Sequence, residues 1–216
     1  MAQMGRPRTF DRDAAITQAL HLFWEHGYDA TSLSQLKANI GGGITAPSFY
    51  AAFGSKQALF NEVMERYLTT HGRVMESLFD TTLPPREAIE CTLRRSAKMQ
   101  CETDHPKGCL VSLGYLSACS EESKAISRPL AEARTANRAG IKACVDRAIA
   151  AGELPATVAS EALAAVFDSF LLGLSVLARD GASLETLDAA VTQVMTVWDA
   201  QRMGRPMAAN DQADEQ

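Results

Sequence analysis

The chain has 216 residues, 46 % of them hydrophobic and 22 % charged, with a formal net charge of −5. That composition fits one large or two small globular domains, and 14 Gly with 8 Pro exclude a collagen-like or globally disordered chain. Five Cys, an odd number, and an N-terminus without an export pattern point to reduced thiols in the cytoplasm rather than a disulfide scaffold. The charge is unevenly spread. Residues 1–60 hold five basic against four acidic side chains, and the rest hold 16 against 22. An acidic body with a locally basic N-terminal arm fits an anionic partner at that end only.

The hydrophobic periodicity is helical almost throughout, so an all-α fold of about nine helices is expected. The first runs from about Asp11 to His26, with Asp11 as N-cap and Ile16, Leu20, Phe23 and Trp24 on one face. Gly27 ends it. A short helix fits Ser32–Ile40, capped by Thr31 or Ser32 and broken by Gly41-Gly42-Gly43. Another fits Ala46–Phe53, with Thr45 as cap and Pro47 in the first turn, where its missing N–H is harmless. Gly54 ends it, and Ser55 caps a longer helix through Tyr67 and Leu68. Further helices fit about 85–103, 108–119, 127–151, 157–179 and 184–202. The apolar stretch Ala162–Ala178 is short for a membrane span, carries Asp168, and reads as a buried helix. The polar tail, residues 203–216, lacks an apolar period and is expected to be disordered.

Two short helices joined by a glycine turn, behind one amphipathic helix, form the geometry of a helix-turn-helix DNA reader. Residues 1–55 are expected to read DNA. Thr45, Ala46, Pro47 and Ser48 open the second short helix, where base edges are met, and Ser32 opens the first. Tyr50 can reach a base or phosphate, and Lys56 can meet a phosphate as a cation. Arg6 and Arg8 form an arm suited to a narrow minor groove. Phe23, Leu36, Phe49 and Phe53 are expected in the core, and Tyr28 is expected to pack as well.

The stretch Phe10–Tyr67 resembles the DNA-binding domain of the tetracycline-repressor (TetR) family. The resemblance rests on Ala19 and Phe23, Gly27-Tyr28, Thr31-Ser32, Leu36, the run Ser48-Phe49-Tyr50-Ala51-Ala52-Phe53-Gly54-Ser55-Lys56, and Leu59-Phe60. The Gly-Arg-Pro-Arg start and the Pro-Ser-Phe-Tyr-Ala-Ala-Phe run are similar to one bacterial subgroup. The turn Ile40–Thr45 departs from the pattern, being two residues longer than in many members. The resemblance implies a transcriptional regulator, a repressor above all, that binds double-stranded operator DNA as a homodimer and is released by a small-molecule effector. It implies that residues 56–202 form the helical effector-binding and dimerisation domain. Phe167, Phe170, Leu171, Leu174, Leu187, Val191, Val194 and Trp198 on the last two helices are the expected dimer interface.

The cysteines leave alternatives open. Cys91, Cys119 and Cys144 read as small buried apolar groups. Cys109, at a helix start near Lys107 and eight residues after Cys101, reads as a packed residue, as a redox- or electrophile-sensing thiol, or, with His105, as part of a metal set. His71, with Met75 and Phe79, is given no role. The chain lacks a Gly-x-x-x-x-Gly-Lys loop, a His-Glu-x-x-His and a Gly-x-Ser-x-Gly, so no enzyme, metal or cofactor is expected. A helical protein-binding adaptor is the remote alternative, against which the basic arm and paired short helices argue.

Overall fold

The computed structural model describes residues 10–116 and 121–203. Arg6, Arg8, Cys119 and residues 204–216 lie outside them. All described secondary structure is helical: α1 (Arg12–Ala30), α2 (Leu33–Asn39), α3 (Ala46–Phe53), α4 (Lys56–Thr69), a 3-10 helix (His71–Leu78), α5 (Pro85–Cys101), α6 (Leu110–Leu116), α7 (Glu121–Ile126), α8 (Arg128–Ala150), α9 (Ser160–Arg179) and α10 (Leu184–Arg202). The expected helices are all present. The two further ones are the 3-10 helix and α7, each short and without a closing glycine in the sequence.

The caps explain the N-terminal boundaries. Asp11, Ser32, Thr45 and Ser55 each accept a backbone N–H three residues on, at 3.0, 3.1, 3.3 and 3.0 Å. Ser32 and Gln35 complete a reciprocal capping box. Gly27 has φ 78° and ψ 170°, a conformation open to glycine, and it interrupts α1 before the chain turns to Ala30.

The chain divides into two compact units. One comprises the described residues of Met1–Arg73 and of Thr103–Glu132; the other, those of Val74–Glu102 and of Ala133–Gln216. In the first unit α1 packs on α4 and α6, and α2 and α3 pack on α1 and α4 respectively. Its core is aromatic. Phe23 meets the edge of Phe60 at 5.1 Å and Trp24 that of Tyr67 at 4.9 Å, all four almost wholly buried. Each such side chain contributes about 1.5–3 kcal/mol by leaving water.

In the second unit α5, α9 and α10 pack on one another around Ile89, Leu93, Phe167, Leu171, Val191 and Trp198. Among the described residues α9 alone is long and apolar enough to cross a membrane; here its inner face is buried against the neighbouring helices. Its Asp168, also buried, accepts from Arg138 at 2.8 Å. An ion network joins α5 to α10: Arg86 grips both carboxylate oxygens of Asp199 at 2.8 and 3.0 Å, and Arg94 pairs with Glu90 and Asp188, each at 2.7 Å.

The hydrogen bonds from Arg86 hold the Asp199 carboxyl below its ordinary range. A carboxylate depressed on folding adds stability that is complete above its unfolded value and lost as pH falls through its folded value. The stability gap between wild type and Asp199→Asn should therefore be widest near neutrality, below about 1 kcal/mol for a half-exposed pair. It should close between about pH 5 and pH 2. Urea unfolding at stepped pH measures it; a gap constant across that window would exclude the bridge as its source.

Candidate nucleic-acid interface

α2 and α3 are short because their ends are fixed by glycine and hydroxyl residues, and they are held because one side of each is apolar. Leu36 and Ile40 are fully buried, as is Phe49; Phe53 is nearly so. Between the helices Gly41, Gly42 and Gly43 have φ +61°, +72° and +93°, three successive left-handed residues. The turn is tied back. Gly41 N–H donates to Gln18 Oε1 at 2.8 Å, Gly43 N–H to Ile40 O at 3.0 Å and Ile44 N–H to Lys37 O at 2.8 Å. A Cβ on Gly41 would lie 2.8 Å from the Phe10 ring, whereas one on Gly42 would meet nothing.

The other side of α3 is open. Thr45, Pro47 and Ser48 are exposed, Ala46 is half-buried and Tyr50 is 50 % exposed. Thr45 Oγ1 and Ser48 Oγ lie 2.9 Å apart, so in the free protein the two hydroxyls satisfy each other. Ser32 is exposed at the start of α2. Lys56 is half-buried, with Nζ 4.1 Å from the centre of the Tyr28 ring, within cation–π range. Burial lowers its pKa, and Asp29 acts in the opposite direction. Tyr28 packs as expected, against Phe23 at 5.9 Å and Phe60 at 5.0 Å, but it is also a platform for Lys56.

Sequence reasoning missed Arg12. Its guanidinium lies 5.3 Å from the centre of the Phe53 ring and donates to Ala52 O and to Glu62. The partners are 40 and 50 residues away, so no local pattern marks it.

Cys109 lies just before α6, its carbonyl accepting from Leu113 N–H at 3.0 Å. The thiol is buried, 3.1 Å from the Tyr67 hydroxyl. Burial pushes the Tyr67 phenol well above its ordinary value. Nearby, Trp24 stacks on His105 at 4.3 Å and meets the edge of His71 at 5.0 Å, so His71 packs in an aromatic cluster. Cys101, half-buried, lies 3.8 Å from Ala182 O. Neither thiol is in a disulfide, and among the described residues neither belongs to a side-chain group close enough to share a metal ion.

The residues expected at the dimer interface differ in how far they are open within the single chain. Phe167, Leu171, Leu174, Leu187, Val191 and Trp198 are buried within their own subunit, and only Phe170 and Val194 stay partly open. The side of α9 that remains exposed carries Val166, Val176 and Leu177. Helical period marks both sides of such a helix equally, and does not say which faces inward.

A family model described as bacterial regulatory proteins of the tetR family matches residues 15–63. The HTH-type transcriptional repressor ComR of Escherichia coli K12 is 32 % identical over 195 residues, covering 90 % of this chain and 91 % of that protein. The repressor BdcR of the same organism is 34 % identical over 113 residues, 52 % of this chain and 56 % of that protein. Among solved structures, a cysteine-substituted form of the TetR family regulator CifR, complexed with 26-bp operator DNA, is 37 % identical with a TM-score of 0.78. The match covers 89 % of this chain and 100 % of that one. The chain belongs to the TetR family of bacterial regulatory proteins. It is a DNA-binding transcriptional regulator with an N-terminal helix-turn-helix.

The glycine turn of this TetR-family regulator gives a graded test. Gly42→Ala should cost only the left-handed conformation, about 1 kcal/mol. Gly41→Ala adds the clash with Phe10, and its loss should reach about 2 kcal/mol. At about 2–4 °C per kcal/mol, the two melting points should separate by several degrees. Equal melting points would mean that the Phe10 contact does not constrain the turn.

Proposed function

We propose that the chain is a cytoplasmic repressor that binds its operator as a homodimer and leaves it when the helical body takes up a small-molecule effector. Residues 1–55 act as the DNA reader, and 56–202 as the effector and dimer domain. The observation that carries the reading is the exposed polar start of α3 on a helix whose other side is locked by Phe49 and Phe53. Thr45 and Ser48 would exchange their mutual hydrogen bond for base edges or phosphate. Ala46 and Pro47 offer apolar contact to thymine methyls. Tyr50 and Lys56 flank them for phosphate, Ser32 serves at the start of α2, and Arg6 and Arg8 extend the reader into the minor groove. The repressor names of ComR and BdcR and the operator complex of CifR support the assignment. An effector acts by its differential affinity for the DNA-competent and released states.

The test is binding to a labelled duplex recovered from a random-sequence library on the wild-type protein. Tyr50→Ala should weaken binding about ten-fold, the usual scale for one lost contact. Lys56→Met, which keeps the stem on Tyr28, should weaken it similarly and make log K against log salt less steep by about one. Unchanged affinity in both variants would sink the assignment.

For the dimer, the open side of α9 offers Val166, Phe170, Gly173 and Leu177 at helical spacing, with Val194 and Val197 of α10 half-buried. A Cβ on Gly173 would meet nothing within 4 Å, so this side is free for close approach by a second subunit. Light scattering should give about 47 kDa, twice the 23.3 kDa chain. Leu177→Glu should give the single chain and lose tight operator binding, because two half-sites need two readers. A variant that stays dimeric would move the interface elsewhere.

A further inference from the structure

The recognition helix lacks something its own sequence does not supply. The C-terminal end of a helix carries partial negative charge and carbonyls without helical partners, and a cation there is stabilising. α3 has eight residues and no basic residue in its last turn. Its final carbonyls are only partly used: Gly54 N–H donates to Tyr50 O at 2.9 Å and Ser55 N–H to Phe53 O at 2.8 Å. Among the described residues no backbone N–H outside the helix reaches Ala52 O.

Arg12, in the first turn of α1, fills that place. Nε and one terminal nitrogen lie 3.4 Å from Ala52 O, and the guanidinium sits 5.3 Å from the centre of the Phe53 ring. The same nitrogen donates to Glu62 on α4 at 2.7 Å, so one side chain spans α1, α3 and α4. The neighbouring pair of Asp13 with Arg66, which also donates to Thr17, joins only α1 and α4. Two bonds at 3.4 Å are long, so the charge opposite the helix end matters more than their geometry.

We propose that Arg12 is a positioning residue for operator reading: it supplies from α1 the cation that the C-terminal end of α3 lacks, and through Glu62 fixes that end relative to α4. The inference rests on α3 being the DNA-reading helix. Arg12 acts on DNA through α3 and touches no phosphate itself.

The experiment uses the full-length protein in two arms. In the first, hydrogen exchange of the free protein is followed at the amides of Tyr50–Gly54. Arg12→Gln should raise exchange there about five-fold by loosening the last turn, with Arg12→Lys between it and wild type. In the second, affinity is measured against the library-selected duplex and against poly(dI-dC) over a salt series. Arg12→Gln should weaken the selected duplex about ten-fold and poly(dI-dC) less than about two-fold, with the salt slope of wild type. Arg12→Lys should recover part of the loss.

Equal weakening on both DNAs, with a slope less steep by about one, would make Arg12 a phosphate contact and overturn the proposal. Faster exchange with unchanged affinity would reduce Arg12 to a structural residue and overturn it too, as would exchange equal to wild type. If Arg12→Gln does not fold, Glu62→Gln removes only the anchor; a loss of about two- to five-fold on the selected duplex supports the proposal, and no loss overturns it. A library that yields no duplex for wild type would refute the DNA-reading assignment itself, while the exchange arm still decides whether Arg12 caps α3.

Discussion

Eight residues are too few to remain helical in water, where even good helix formers are marginal below about 12–15 residues. Everything that Ala46–Phe53 presents to DNA therefore depends on the packing of α1 against α4. Phe23 on Phe60, and Trp24 on Tyr67, set the spacing of those two helices. Phe49 and Phe53 then give α3 a buried side to rest on. Because the aromatic rings are large and rigid, the platform has few ways to repack, and the polar start of α3 is aimed by a core that shares none of its chemistry.

Electrostatics enters locally rather than globally. A chain of net charge −5 has no broad field to draw DNA, so affinity has to come from cations placed where phosphates will pass. Lys56, the cation proposed to meet a phosphate, shows how such a charge is held in the free protein. Its charge rests on the Tyr28 ring, its stem is half out of water, and burial has already lowered its pKa. A phosphate beside it opposes that lowering, so the interaction gains where the desolvation has already been met. Thr45 and Ser48 follow the same logic with hydrogen bonds: in the free protein each satisfies the other, and in the proposed complex DNA would replace that bond.

What was legible in the sequence is what local chemistry determines. Asp11, Ser32, Thr45 and Ser55 mark helix starts because a short oxygen can reach an N–H three residues on, whatever the rest of the chain does. Gly27 and Gly54 mark ends for an equally local reason, positive φ. The role of Arg12 is not local. Its position reads as the first turn of an amphipathic helix, and only the folded chain brings Ala52, Phe53 and Glu62 around it. The anchoring of Gly41 by Gln18, 23 residues earlier, was hidden in the same way, although the glycines themselves announced an unusual turn. α7 and the 3-10 helix escaped because six or eight residues cannot establish a period by themselves, and no glycine follows them as Gly41 and Gly54 follow α2 and α3.

α9 shows a second limit, one of symmetry rather than distance. The helix is apolar on two sides, and its sequence alone treats them as equivalent. Burial separates them: Phe167, Leu171 and Leu174 enter the core of their own unit, while Val166 and Leu177 stay outside. The charged residue breaks the tie. Asp168 is buried and accepts from Arg138 of α8, so its edge of α9 is engaged within the same subunit. An unpaired carboxylate could not be placed against a second apolar face without a large desolvation penalty. The uncharged side, opened further by Gly173, is the one that another copy can cover with apolar surface. An ion pair between a half-exposed arginine and a buried aspartate of one subunit thus leaves, by exclusion, the other side of the helix open to the proposed dimer contact.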